Sequence, residues 1–522
     1  MCEATQTRHE DDAQDEVFAF LAAPAHHGGN PVRRIDTHAA SVFLAGNRAY
    51  KVKRAVRFPF LDYSTLALRK AACDQELEVN SRFAPQIYLR TVPITRAADG
   101  ALHIGGDGEA VEWAVEMVRF DPDATLDRLA EAGPLPARLA VEIADAIVAA
   151  HRSAPTVADA QWVGSIPALI TANTDTFTAE AAFAADRISI LDRTSHADFL
   201  QVRRLLERRT RAGLVRRCHG DLHLANIAVI DGRPVLFDAI EFDPALATTD
   251  VFYDLAFPLM DLLAAGQAQA ANILFNRYLA RMPEAGIDGL SALPLFLSLR
   301  AAIRANVLLR RRHVAREDGP AASYFDLAHR LIAAAPARLV AIGGLSGTGK
   351  SHLAQDLAAM IGRAPGAVLL RSDVVRKQLF GVDELAPLPE DAYQPSVTAR
   401  VYHDLAARAR SALAAGYAVV VDAVYARSSE RAAIAETAHA LNVPFHGLFL
   451  TVDLATRMQR IGQRRNDASD ATPQIARMQE SYDLGAIDWP TIDASGTPDD
   501  TLMHSVRTLA GATSHRDQRC ST

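Results

Sequence analysis

At 522 residues the chain is too long for one ordinary core, and the usual domain size divides it into two to four parts. Hydrophobic residues at 49% and charged residues at 22% exclude a disordered or fibrous protein. A formal charge of −7 excludes a general pull toward nucleic acid or anionic membrane, so either partner would need a local basic patch.

Residues 1–16 are polar and acidic, without the positive lead and apolar run of a signal peptide, and a flexible start over residues 1–30 is expected. Residues 42–44 and 50–52 predict two short strands whose Gly46-Asn47 turn suits a hairpin. Residues 65–83 carry helical periodicity, and 111–118 alternate Trp113, Val115 and Met117 as a strand does. From Leu126 the pattern turns helical, with stretches at 138–150, 179–187, 199–208 and 251–263. A small β-rich part thus precedes a larger helical one.

Beyond Arg338 the character changes to a strand at 339–342, a glycine loop, a helix at 351–361 and strands at 368–370, 418–421 and 445–450. Alternation of this kind predicts a parallel sheet covered by helices. The boundary is placed near 335–338, which gives domains at 31–335 and 336–512 and a disordered tail at 513–522. The apolar runs are far shorter than the roughly 20 residues of a membrane span. Cys2, Cys73, Cys218 and Cys520 show no CxxC pairing or metal spacing, and together these features predict a cytoplasmic protein.

Two constellations carry chemistry. In the first, His219-Gly220-Asp221-Leu222-His223-Leu224-Ala225-Asn226 leads into a strand at 227–230, and Asp238 closes a strand at 234–237. Asp221 and Asn226 have the five-residue offset of the protein-kinase catalytic loop, a resemblance that implies Asp221 as proton acceptor and Asn226 as a ligand of Mg²⁺, a hard ion that prefers oxygen, with Asp238 in the remaining metal position. His219 and His223 lack a third ligand at zinc spacing and read as structural. Asp250 and Asp254, four apart on an expected helix, read as ties for the loop.

In the second, Gly344-Leu-Ser-Gly-Thr-Gly-Lys350-Ser351 fits G-x-x-x-x-G-K-[ST] between a strand and a helix. Gly344, Ser346, Gly347, Thr348 and Gly349 would turn backbone N–H groups around phosphate oxygens, with the positive helix end behind them. Lys350 would reach the β- and γ-phosphates of ATP, and Ser351 offers Mg²⁺ a hydroxyl. Asp373 and Arg376 follow the second strand, at the sheet edge where ligands bind. Asp422 ends the next strand and suits a metal role, the alternative being a helix cap. Arg457, Arg460, Arg464 and Arg465 cluster beside one helix, either as a cationic lid or as a solvated face.

Over residues 43–312, HGDLHLAN and LFDAIEFD resemble the aminoglycoside phosphotransferase family, with choline and homoserine kinases as relatives. The resemblance implies that Asp221 is the base, that Lys51 pairs with ATP phosphates, that Glu76 holds that lysine, and that residues 116–118 form an adenine-reading hinge. Lys53 lies on the same strand face and competes with Lys51. Residues 37–41, where a phosphate-covering loop belongs, contain no glycine, and residues 162–211 show no acidic cluster that would promise aminoglycoside recognition.

Over residues 338–510 the Walker A motif, SDVVRK at 372–377, and Val421-Asp422-Ala423 with Arg431 resemble small P-loop kinases of the gluconate kinase, polynucleotide kinase and zeta toxin type. This implies Asp373 as base and Arg376 as substrate clamp; His352 stands where Thr is common. The expected fold class is an α+β two-lobed protein-kinase-like domain followed by an α/β P-loop NTPase domain with a parallel sheet. The expected function is a bifunctional Mg²⁺-dependent transfer of the ATP γ-phosphate to small hydroxylated acceptors. Alternatives are a nucleotide sensor with one silent half, or action of the P-loop half on polynucleotides or nucleotide sugars through Arg310, Arg311, Arg312 and the later arginine cluster.

Overall fold

The structure is a computed structural model that describes residues 14–58, 61–158, 161–315, 319–464 and 467–517. Cys2, Cys520 and Arg465, residues 1–13 of the expected flexible start, and residues 518–522 of the expected tail lie outside the described residues, whereas Val17, Phe18, Phe20 and Leu21 of that start are buried in a core. The chain forms two compact units, 1–135 with 145–165 and 207–261, and 136–144 with 166–206 and 262–522. Helical sequence that precedes Arg338 is therefore part of the same unit as the P-loop.

In the first unit a six-stranded antiparallel sheet runs in the order Val32–Asp36, Ala40–Ala45, Arg48–Lys53, Glu109–Val118, Tyr88–Arg96, Leu102–Ile104. Strand alternation sends Phe43, Tyr50, Val52 and Ala114 to one core, and Leu44, Ala49, Val115 and Met117 to another. Helix Leu66–Asn80 lies against this second face; Thr65 caps it, and buried Cys73 and Glu76 point inward from it. Hairpin Ile227–Ile230 with Arg233–Leu236 frames the loop that begins at His219.

Two expectations are corrected. Asp250 is not helical: it ends strand Thr248–Asp250, accepts the Phe252 N–H at 2.8 Å as the start of helix Val251–Ala264, and pairs with Arg209 at 2.7 Å. The helix expected at 179–187 falls on a break between helices Gln161–Ala179 and Ala185–Arg211, where Ala181 adopts a φ of 47°. Alanine-rich sequence reads as continuous helix because nothing local marks that turn.

The second unit holds five parallel strands in the order Val368–Arg371, Val419–Asp422, Leu339–Gly344, Phe445–Thr451, Thr491–Asp493. Leu339–Gly344 is buried throughout, as a central parallel strand must be. Gly344, Arg371 and Asp422 stand at the carboxyl ends of three adjacent strands, and helix Lys350–Met360 begins beside them. The expected fold class therefore holds, with a sheet-and-helix first region followed by a parallel P-loop sheet. Residues 287–310 are apolar enough to cross a membrane by length and composition, but most of that stretch is buried inside this unit.

Candidate functional site

In the first unit, Lys51 and Lys53 are two apart on one strand and share a face, and Glu76 stands between them. Lys51 Nζ lies 2.8 Å from Glu76 Oε1 and Lys53 Nζ 2.6 Å from Glu76 Oε2. The lysines then part: Lys51 reaches Asp238 Oδ1 at 2.7 Å, and Lys53 reaches Glu241 Oε1 at 2.6 Å. The Lys53 and Glu241 side chains are 3% and 8% exposed, whereas Asp238 is 43% exposed, so the Lys51 end alone opens to solvent. Burial by itself would pull the Lys51 ammonium down, but Asp238 and Glu76 outweigh it and hold it well above the ordinary lysine range. Burial would likewise push Asp238 up, and Lys51, by charge and hydrogen bond, brings it below the usual aspartate range.

Asp238 has a φ of 61°, a costly conformation for an aspartate, and its N–H donates to Tyr88 Oη at 3.1 Å. The Asp221 loop is held from several sides. Gly220 has a φ of 83°, and a Cβ there would lie 3.0 Å from Ala247 Cα, so no other residue fits without movement. Its N–H donates to Asp254 Oδ1 at 2.8 Å, and Leu224 N–H donates to Asp261 Oδ2 at 3.1 Å. Buried His219 bonds the Phe237 carbonyl at 2.9 Å; a carbonyl only accepts, which places the ring proton on Nε2. Burial keeps His219 below the ordinary histidine range, as suits a structural residue.

Asn226 Nδ2 donates to Asp221 O at 2.9 Å and to Asp221 Oδ2 at 3.3 Å, and Asp221 acts on Asp238 by charge. The structure thus gathers Lys51, Glu76, Asp238, Asp221 and Asn226. Their oxygen donors match Mg²⁺. Glu241, which seals Lys53, lies within LFDAIEFD but carries no spacing signal of its own. The glycine-free segment closes as a hairpin turn, with Thr37 N–H donating to Ala40 O at 2.8 Å.

In the second unit a cleft of about 590 Å³ is lined by Lys350, Ser351, Asp373, Arg376, Asp422 and Arg464, among others. Ser351 Oγ donates to Asp422 Oδ2 at 2.6 Å, and Lys350 Nζ donates to Leu345 O at 3.0 Å. Burial holds the Lys350 ammonium below the ordinary range, which favours an anionic partner for it. Burial and then the charge of Asp422 push the Asp373 carboxyl up, against the pull of Arg371. Arg376 donates to Ala392 O at 2.6 Å and stacks over Tyr393 at 4.9 Å, while its buried Nε has no hydrogen-bond partner.

Gly347 has a φ of 90°, and a Cβ there would lie 2.7 Å from Arg457 O. The arginine cluster does not form one face. Arg457 is 1% exposed and braces the loop through Ser346 O at 2.8 Å. Arg460 lies in a separate recess of about 230 Å³ with Thr348 and Gly349, donating to Ala494 O at 2.9 Å. Arg464 alone of the three lines the main cleft. Sequence reasoning missed Gln479, whose Oε1 accepts the Ser346 N–H at 2.8 Å, and Arg371, which bridges Asp467 at 2.7 Å and Asp422 at 3.4 Å. Only the position of Arg371 next to SDVVRK could have pointed to it.

Residues 43–293 match the phosphotransferase enzyme family, and residues 339–484 match a family described as an AAA domain. The uncharacterized protein Rv2004c of Mycobacterium tuberculosis is 31% identical over 483 residues, covering 88% of this chain and 92% of the relative. A gluconokinase from Sinorhizobium meliloti 1021 is similar at 20% identity over 36% of this chain and 99% of that one, with a TM-score of 0.25. A choline kinase from Cryptosporidium parvum Iowa II is similar at 10% identity over 59% and 90%, with a TM-score of 0.38.

Proposed function

The chain belongs to the family of mycobacterial Rv2004c and joins a phosphotransferase-family region to an AAA-domain region, and from that premise we propose that it is a bifunctional ATP-dependent phosphotransferase. The observation that carries this reading is that each unit holds a lysine, an oxygen pair suited to a cation and a further carboxylate in one place: Lys51, Asn226 with Asp238, and Asp221; Lys350, Ser351 with Asp422, and Asp373. The acceptors are small hydroxylated molecules, and the protein works in the cytoplasm.

In each site the carboxylate accepts the acceptor's hydroxyl proton as the oxygen attacks the γ-phosphorus and the bond to the β-phosphate oxygen breaks. Asn226 and Asp238, or Ser351 and Asp422, would hold Mg²⁺, which would neutralise phosphate charge. Lys51 rather than Lys53 serves the phosphates, because its end of the Glu76 bridge is the open one. Lys350 and Arg464, which line the main cleft, would pair with phosphate charge, Thr348, Gly349 and Arg460 of the neighbouring recess would complete the nucleotide site, and Arg376 would orient the acceptor beside Asp373.

Mg-ATP turnover by the full chain tests this. It should fall partly with Asp221→Asn, partly with Lys350→Ala, and to background with both. If Asp221→Asn changes nothing, the first region is a nucleotide sensor, a reading supported by its glycine-free hairpin turn.

A further inference from the structure

Helix Ala268–Arg281 lies within the region matched to the phosphotransferase family, yet within the second unit it packs along the P-loop sheet. Strand Val368–Arg371 is an edge of that sheet, so its outer N–H and C=O groups have no neighbouring strand. Two asparagines, one helical turn apart, take the place of one. Asn272 Nδ2 donates to Pro365 O and Ala367 O at 3.1 Å each; Asn276 Nδ2 donates to Ala367 O at 3.1 Å, and Asn276 Oδ1 accepts from Leu369 N–H at 2.7 Å. Gln378 Nε2 donates to Ala280 O at 2.7 Å, so the grip reaches helix Ser372–Leu379, which carries Asp373 and Arg376.

Charge continues the path. Arg277 pairs with Glu384, and Arg281 with Asp383 at 2.8 Å. Glu384 also lies 3.9 Å from Arg371, which holds Asp467 at 2.7 Å and Asp422 at 3.4 Å. Three carboxylates therefore compete for one guanidinium. With Arg277 in place Glu384 is already neutralised; without it this largely buried carboxylate is left with Arg371, at 3.9 Å, and draws that guanidinium away.

Resting on the reading of this cleft as an ATP-using site, we propose that Arg277 is a positioning residue for it: by neutralising Glu384 it keeps Arg371 on Asp422 and Asp467, and so keeps Asp422 on Ser351. A helix from the first sequence region thereby sets the competence of the second region's site.

The test uses the full chain carrying Asp221→Asn, whose remaining Mg-ATP turnover belongs to the P-loop site. Arg277→Ala should lower kcat about tenfold while KM for ATP shifts less than about twofold. Arg277→Lys should restore most of the rate, and Arg277→Ala with Glu384→Gln should exceed Arg277→Ala alone, because the competing carboxylate is gone. No loss, or equal loss in the single and double variants, overturns the relay. Amide hydrogen exchange across residues 368–379 decides the positioning independently: faster exchange in Arg277→Ala supports it and unchanged exchange refutes it. If the Asp221→Asn protein turns over no ATP at all, the functional reading falls, and exchange still decides the coupling.

Discussion

Lys51 and Lys53 share Glu76, yet the consequences of losing them should differ. Lys53 is sealed between Glu76 and Glu241, so Lys53→Ala strands buried Glu241, leaves Glu76 with Lys51 alone, and should cost about 3–5 kcal/mol in denaturant unfolding. Lys51→Ala opens toward half-exposed Asp238; it should cost less stability and remove the turnover that Asp221→Asn removes. At the other site Asp373 supplies a pH signature. A base must be ionised to work, and burial with Asp422 raises this carboxyl above its ordinary value, so kcat/KM for ATP should fall as pH drops through a point above the usual aspartate pKa of about 3.9. Arg371 pulls the same group down, so Arg371→Ala should move the acid limb to still higher pH; a limb that stays put would remove Asp373 from the role of base.

At the scale of elements, what was legible was what is local. Strand, glycine loop and helix from 339 to 360 announce themselves in consecutive residues, as does the hairpin at Gly46-Asn47. Strand Tyr88–Arg96 carries no clear sequence signal because Pro93 sits inside it and its register shifts twice, which breaks the alternation that marks a strand. Thr491–Asp493 is three residues long and offers no period at all. For the candidate sites, HGDLHLAN and the Walker A motif concentrate function in a few positions, whereas Arg371 draws its partners from 384, 422 and 467, which no spacing rule connects. Edge protection by Asn272 and Asn276 is hidden for the same reason. Asn276→Ala would leave the Leu369 N–H without its partner and should cost about 1–3 kcal/mol, measured as a shift in the unfolding midpoint with unchanged slope.

For the whole molecule, the units do not follow the sequence regions, and this bears on how the chain can be divided. We propose the boundary near 335–338 as the limit of the P-loop region, and a fragment starting at Pro336 keeps the Walker A loop, Asp373, Asp422 and the parallel sheet. It gives up both asparagines on the edge strand, the pairing of Arg277 with Glu384, and Phe275, which is fully buried 5.8 Å from the Tyr417 ring. Uncovering one such aromatic costs about 1.5–3 kcal/mol, and the open strand edge adds a surface for association. The fragment should therefore bind Mg-ATP yet melt below a fragment starting at Leu262, which retains helix Ala268–Arg281. Thermal melts of the two with and without Mg-ATP separate the contributions. Equal melting would mean that the helix merely rests on the sheet, while failure of the shorter fragment to bind nucleotide would move the functional boundary upstream of that helix.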